Sequence, residues 1–166
     1  MRQLHWFQTD LRWADNPALS SAQDADSLLC IYLMPKPRPW CNLTGLGPQR
    51  DRFLRESLRE LKEQLQKLGQ DLMVLEGSPE LVLPNIVDRF SIDHVTTSYT
   101  PGWHETQAIA FLEQKLPAML SVFRGSTLLD AEQFSFELED LSDTFSPFRR
   151  KVEKLNISSP MTCLLY

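Results

Sequence analysis

The sequence contains few cysteines and no long apolar run. Cys30, Cys41 and Cys163 are odd in number and show no C-x-x-C spacing, so neither a disulfide framework nor a zinc site is indicated. No apolar run approaches the roughly 18 residues of a membrane span. Asp10 and Arg12 lie where a secretory signal peptide would be apolar. These absences predict a cytoplasmic protein without a membrane partner.

Glycine motifs and basic charge are also scarce. The six glycines form neither a G-x-G-x-x-G loop nor a phosphate-binding G-x-x-x-x-G-K-[ST] loop, and no serine stands in a G-x-S-x-G elbow. The 17 basic residues are outnumbered by 22 acidic ones, whereas a free-standing nucleic-acid binder needs a concentrated basic surface. His104 and Glu105 begin like a zinc-protease helix, but Ala108 replaces the second histidine. The sequence therefore predicts no metal site and no catalytic residue.

What the chain does contain is enough apolar sequence for one folded domain. It has 166 residues, of which 42% are hydrophobic and 23% charged, as in ordinary globular proteins. Apolar runs predict strands at 2–7, 27–34, 71–77, 93–99 and 118–125. Helices are predicted between them at 17–26, 48–68, 78–90 and 102–116, the third interrupted near Pro84.

This alternation predicts the fold class. Runs such as SLLCIYLM (27–34) are continuously apolar, as required of strands covered on both faces. Strands alternating with helices imply right-handed crossovers and a parallel sheet. We therefore expect an α/β fold, a doubly wound five-stranded parallel sheet with helices on both faces (Rossmann-like).

The loop after the first strand is one place where such a sheet would hold a ligand, beyond the carboxyl ends of its strands. It spans residues 8–16 and carries Asp10, Arg12, Trp13 and Asp15. These side chains suit either a salt-bridged structural loop or the rim of a site for a polar ring.

The loop after the fourth strand is the second such place. It puts Trp103, His104 and Glu105 at a helix N-terminus. The indole offers a face for stacking, and the carboxylate accepts hydrogen bonds from a heterocycle. In the alternative interpretation, Glu105 only complements the helix dipole and Trp103 covers the edge of the core.

The last part of the chain differs from the rest. Residues 130–143 contain six acids and no base, and a basic segment that is predicted to be helical, SPFRRKVEKL (146–155), follows. Such a pattern is typical of an exposed linker and a solvated helix face, or alternatively of a docking surface.

Several segments resemble a known family. HWFQTDLRWADNPAL (5–19) resembles the opening of the photolyase and cryptochrome family, W-F-R-x-D-L-R-x-x-D-N-x-A-L, with Gln8 in place of the usual arginine. Residues 47–69 resemble the helix between that family's second and third strands, and residues 77–87 its G-x-P-x-x-x-L-P segment. Residues 125–154 are similar to the DASH-type branch.

The resemblance implies an amino-terminal antenna domain of a light-driven flavoprotein at residues 1–129. Residues 130–166 would be an acidic linker and the start of the interdomain connection. In the family, a helical domain, which the resemblance implies is absent from this chain, binds FAD and the DNA lesion. The antenna chromophore passes excitation energy to that flavin. We thus expect light harvesting for a DNA photolyase or blue-light photoreceptor, with 5,10-methenyltetrahydrofolate as the ligand and no DNA binding by this domain alone.

The resemblance also implies site residues. A pterin antenna would contact the loops after the second and fourth strands, at Trp40, Thr100, Trp103, His104 and Glu105. A deazaflavin or flavin antenna would lie deeper in the sheet crevice, near Asp10, Arg12 and Met34. The surface that faces the helical domain in relatives would include Phe145, Phe148 and Arg149.

Two other functions remain open. The chain could be a stand-alone interaction module that docks another protein through the surface around Phe145, Phe148, Arg149 and Val152. Exposed apolar side chains there would promote self-association. A small nucleotide-binding domain of the same shape is the weakest alternative, because the glycine loop is missing.

Overall fold

The computed structural model describes residues 1–35, 45–116, 119–129, 131–157 and 159–161. Its strands are β1 (Arg2–Phe7), β2 (Ser27–Met34), β3 (Leu72–Glu76), β4 (His94–Ser98) and β5 (Leu120–Phe123). Its helices are α1 (Pro17–Ser20), α2 (Pro48–Lys67), α3 (Pro79–Phe90), α4 (Trp103–Lys115) and α5 (Phe145–Val152). The strands form one parallel sheet in the order β3-β2-β1-β4-β5, which confirms the predicted fold class.

Each face of the sheet has its own apolar cluster, because side chains alternate along a strand. On β1, Leu4 and Trp6 point to the face covered by α3 and α4, whereas Phe7 points to the face covered by α1 and α2. The α3/α4 face also buries Ile31, Leu83, Ile86, Val87, Val95, Ile109 and Leu112. The α1/α2 face buries Leu19, Cys30, Tyr32, Leu58, Leu61, Leu65 and Leu72.

Helix α1 is shorter than predicted. Asn16 caps it, since its Oδ1 accepts a hydrogen bond from the Leu19 N–H at 3.1 Å. After Ser20 the N–H groups of Ala22 and Gln23 bond three residues back rather than four, so the chain continues toward Asp26 as tight turns.

Helix α3 runs without a break through Pro84, where the sequence predicts an interruption. Pro84 lacks the N–H that would bond the Glu80 carbonyl. On its buried face, Leu83, Ile86 and Val87 pack on the sheet. This burial holds both halves of the helix in place across the missing bond.

The strand order changes direction between β1 and β4. The chain adds β2 and β3 on one side of β1 and then returns to add β4 and β5 on the other. The helices that follow β1 and β4 therefore cover opposite faces of the sheet, and the carboxyl edge between these two strands, here called the crevice, is the usual ligand position in such folds.

Residues 126–161, here called the C-terminal segment, add no strand to this sheet in the described part of the chain. Phe134 and Phe136 stack at 5.2 Å between ring centroids, and the ring of Phe148 meets both edge-on. The segment returns to the loop after β1. There the Asp15 N–H donates to the Met161 carbonyl at 3.2 Å, and Asp15 Oδ1 accepts from the Met161 N–H at 2.8 Å.

Candidate functional site

Direct hydrogen bonds join the two loops that border the crevice. Nε2 of the buried Gln8 donates to Thr97 Oγ1 at 2.9 Å and to the Ser98 carbonyl at 3.1 Å. The hydroxyls of Thr9 and Thr100 share a hydrogen bond at 3.2 Å. The polar groups at the mouth of the crevice thus satisfy one another, and Gln8 does so where the family pattern has an arginine.

The loop after β1 contains a salt bridge, as expected if its charged side chains form a salt-bridged structural loop. Arg12 Nε lies 3.3 Å from Asp10 Oδ1, and Arg12 Nη2 donates to the Gly125 carbonyl at 3.0 Å. Partial burial raises the pKa of Asp10 above its ordinary value, and the positive charge of Arg12 opposes that rise. Arg12 therefore ties this loop to the end of β5.

The third crevice candidate, Met34, has a different environment. It lies at the end of β2 and packs against the apolar cluster on the α1/α2 face. Asp10 and Arg12 thus contact each other, while Met34 contributes to core packing.

The loop after β4 brings Thr100, Trp103, His104 and Glu105 to the start of α4. Glu105 is the acidic residue of the first turn of α4. Its half-buried side chain lies over Gly102, and a Cβ atom on Gly102 would collide with the carboxylate. Trp103 is 68% exposed, so the alternative that it covers the edge of the core is wrong. His104 is exposed as well.

The first turn of α4 therefore carries both an accessible indole and a carboxylate. A negative charge in the first turn complements the helix dipole. An ionised carboxylate accepts strong hydrogen bonds, and an exposed indole offers a stacking face. Trp40, the remaining pterin candidate, lies outside the described residues.

A groove that sequence reasoning missed lies next to these residues. Its volume is about 310 Å³, and it runs between α4 and the end of β5. Tyr99 and Arg124, the residues that directly follow β4 and β5, line it, with Arg124 Cζ 4.9 Å from the Tyr99 ring centroid. The other lining residues are Thr106, Ile109, Ala110, Glu113 and Val122.

A sequence signal for the groove existed. Residues 106, 109, 110 and 113 recur at the three- and four-residue spacing of one helix face, and two residues that follow strands belong to the carboxyl edge. Their joint position depends on β4 pairing with β5, which the local pattern does not specify.

Two kinds of feature are absent from the described ranges. They contain no group of three or more His, Cys, Asp or Glu side chains arranged to hold a metal ion. No helix within those ranges has the length and apolar character needed to cross a bilayer.

Comparison with known proteins gives a consistent result. The family model described as DNA photolyase matches residues 3–163. A cryptochrome DASH of Idiomarina loihiensis is 34% identical over 158 residues, covering 90% of this chain and 34% of the relative. The chain thus spans about a third of the length of that curated relative.

Solved structures agree with the fold. The crystal structure of a Synechocystis cryptochrome superposes with a TM-score of 0.89 at 28% identity, covering 98% of this chain and 36% of that one. An archaeal photolyase from Sulfolobus tokodaii, solved with two FAD molecules, shares the fold with a TM-score of 0.72 at 24% identity, over 98% of this chain and 37% of its own.

Proposed function

Because the chain belongs to the DNA photolyase family, in which it corresponds to the amino-terminal α/β domain, we propose that it binds a pterin antenna chromophore. The family binds FAD and an antenna chromophore. In this proposal the ligand is 5,10-methenyltetrahydrofolate, which would supply light absorption and energy transfer to a flavin in a helical domain. The chain's own task is to hold and orient that ligand.

One observation carries the proposal: the exposed indole of Trp103 and the half-buried carboxylate of Glu105 belong to the same first turn of α4. A pterin presents an amino group next to a ring nitrogen, a pattern that a carboxylate can accept side by side. Stacking on the indole would fix the plane of the ring. Thr100 and His104 border the same loop and would add polar contacts at its rim.

The crevice is less suited to a flavin or deazaflavin. A ring entering it would separate Gln8 from Thr97 and Thr9 from Thr100, and these pairs are hydrogen-bonded at 2.9 and 3.2 Å. It would also disturb the contact between Asp10 and Arg12. Breaking polar pairs without replacing them costs free energy, so the outer site at α4 is favoured.

The test is an absorbance and fluorescence titration with methenyltetrahydrofolate, with FAD titrated in parallel. We expect saturable pterin binding, and Glu105→Gln should weaken it about tenfold because a charged acceptor becomes neutral. Glu80→Gln is the matched control, since Glu80 also lies in the first turn of a helix, α3. Equal affinities for wild type and Glu105→Gln would contradict the proposed site, and binding of FAD alone would favour the crevice.

A second feature supports docking of a helical domain. Phe145 on α5 is 72% exposed, and no residue of α5 is buried. A groove of about 220 Å³ beside it is lined by Leu128, Leu129, Phe145, Arg149, Val152, Glu153, Leu155 and Ile157. We propose that this surface, with Phe148 next to Phe145, contacts the helical FAD domain found in full-length relatives, and that it promotes self-association when that domain is missing.

A further inference from the structure

The groove between α4 and the end of β5 begins where the proposed pterin site ends. Tyr99 and Thr106 line it, and they are the chain neighbours of Thr100 and Glu105. The Thr106 hydroxyl donates to the Trp103 carbonyl at 2.9 Å, within the first turn of α4. A ligand ring held at Glu105 would therefore have the groove within reach of its substituent.

The walls of the groove suit an aromatic group that carries a negative charge. Ile109, Ala110 and Val122 supply apolar surface. Arg124 is exposed and lies over the Tyr99 ring, and within the described residues its guanidinium makes no ion pair. Its forked N–H donors match the geometry of a carboxylate.

Because the chain is negatively charged overall, an anionic ligand in this groove needs a positive side chain close to it. The chain has a net charge of −5, so an anionic ligand meets a repulsive average field and needs a positive group at its own position. Glu113 lines the same groove, so its negative charge opposes ligands with many carboxylates. The volume of about 310 Å³ lies at the lower end of the range for small-molecule pockets.

We propose that this groove binds the tail of the ligand, the aminobenzoyl-glutamate part of a folate, which is an aromatic amide with its carboxylates on the glutamate, and that Arg124 is the anion-binding residue. The inference rests on the proposed function, in which the pterin ring lies at Glu105. It adds a second subsite with its own residues and its own ligand chemistry. The ring subsite selects a heterocycle, and the groove selects a short anionic tail.

The experiment separates the two subsites with three probes. Methenyltetrahydrofolate contains both parts, 6-hydroxymethylpterin only the ring, and p-aminobenzoyl-glutamate only the tail. Binding of the first two is followed by fluorescence, and binding of the tail by chemical-shift changes in the labelled protein. Thermal unfolding of each variant checks that the fold is retained.

Arg124→Gln is expected to weaken methenyltetrahydrofolate and p-aminobenzoyl-glutamate about tenfold, because it removes a charge-assisted pair, and to leave 6-hydroxymethylpterin unchanged. Glu113→Gln should strengthen both tail-bearing probes slightly. Arg89→Gln is the matched control, since Arg89 also lies over an aromatic ring, with Cζ 5.8 Å from the Phe90 centroid, but on α3. It should change none of the affinities.

The outcomes distinguish the two proposals. If Arg124→Gln binds both tail-bearing probes as tightly as wild type, the tail subsite is wrong, whatever happens at Glu105. If 6-hydroxymethylpterin fails to bind and Glu105→Gln changes no affinity, while both tail-bearing probes bind in an Arg124-dependent way, the proposed function fails and the groove is supported. Failure of p-aminobenzoyl-glutamate to bind wild type at millimolar concentration would also overturn the tail subsite.

Discussion

Apolar side chains are buried differently in the sheet region, residues 1–125, and in the C-terminal segment. In the sheet region Leu4, Leu83 and Leu112 are completely buried, and each packs against strands or helices that are distant in sequence. In the C-terminal segment the apolar residues of α5 pack on near neighbours or point outward, as Phe145 does. The sheet region thus has a core of its own, even though Phe53, Leu81 and Trp103 are exposed on its surface, whereas α5 has no buried residue.

The largest expected contrast is in stability. Leu112→Ala leaves a cavity in the core of the sheet region and should lower the free energy of unfolding by about 2–5 kcal/mol. Phe148→Ala removes edge-on aromatic contacts in the C-terminal segment and should cost about 1 kcal/mol. Urea denaturation of both variants measures the difference. Equal losses would mean that the segment is as tightly integrated as the sheet.

The next contrast concerns the dependence of stability on pH. His5 is fully buried in the sheet region, and loss of hydration lowers its pKa from 6.5 to about 3. The unfolded chain therefore takes up a proton at a higher pH than the folded chain. The contribution of neutral His5 to the free energy of unfolding is complete above pH 6.5. It is lost as the pH falls toward 3, by about 1.4 kcal/mol per pH unit.

His5→Gln should flatten the dependence of unfolding free energy on pH in that window. Thr96→Val is the control, because it removes the hydrogen bond between Thr96 Oγ1 and His5 Nδ1, 3.1 Å apart, but keeps the histidine buried. It should lower stability and retain the slope. An unchanged slope in His5→Gln would show that the acid sensitivity arises outside the sheet interior.

The smallest effect on stability, and the sharpest on association, is expected at Phe145. Phe145→Ser should change the free energy of unfolding by less than about 0.5 kcal/mol, because the side chain is exposed. It should also reduce self-association, which light scattering over a range of concentrations measures. If the wild-type chain stays monomeric at high concentration, the C-terminal segment does not act as an association surface, and its contrast with the sheet region is lost.

Much of the fold could be predicted from local patterns. The run at 27–34 predicted the bounds of β2, because a continuous apolar run is the signal of a strand covered on both faces. Pro84 misled the prediction because burial of neighbouring residues outweighs one missing hydrogen bond. At such positions tertiary packing outweighs the intrinsic helix propensity of the residue.

The site was predictable only in part. Glu105 at a helix N-terminus could be located from its loop, whereas the exposure of Trp103 depends on what lies around the finished sheet. Arg124 joins Tyr99 only through the pairing of β4 with β5. The bond from Arg12 to Gly125 connects positions 113 apart, and no local pattern encodes such a contact.

The two hydrogen bonds between Asp15 and Met161 have a kinetic consequence. They join residues 146 positions apart, and such a closure is costly in an unfolded chain but cheap once the intervening sheet has formed. These bonds are therefore expected to form late in folding and to open first when the protein is perturbed. The Met161 amide should exchange with solvent through local opening, while amides of β1 exchange only through global unfolding.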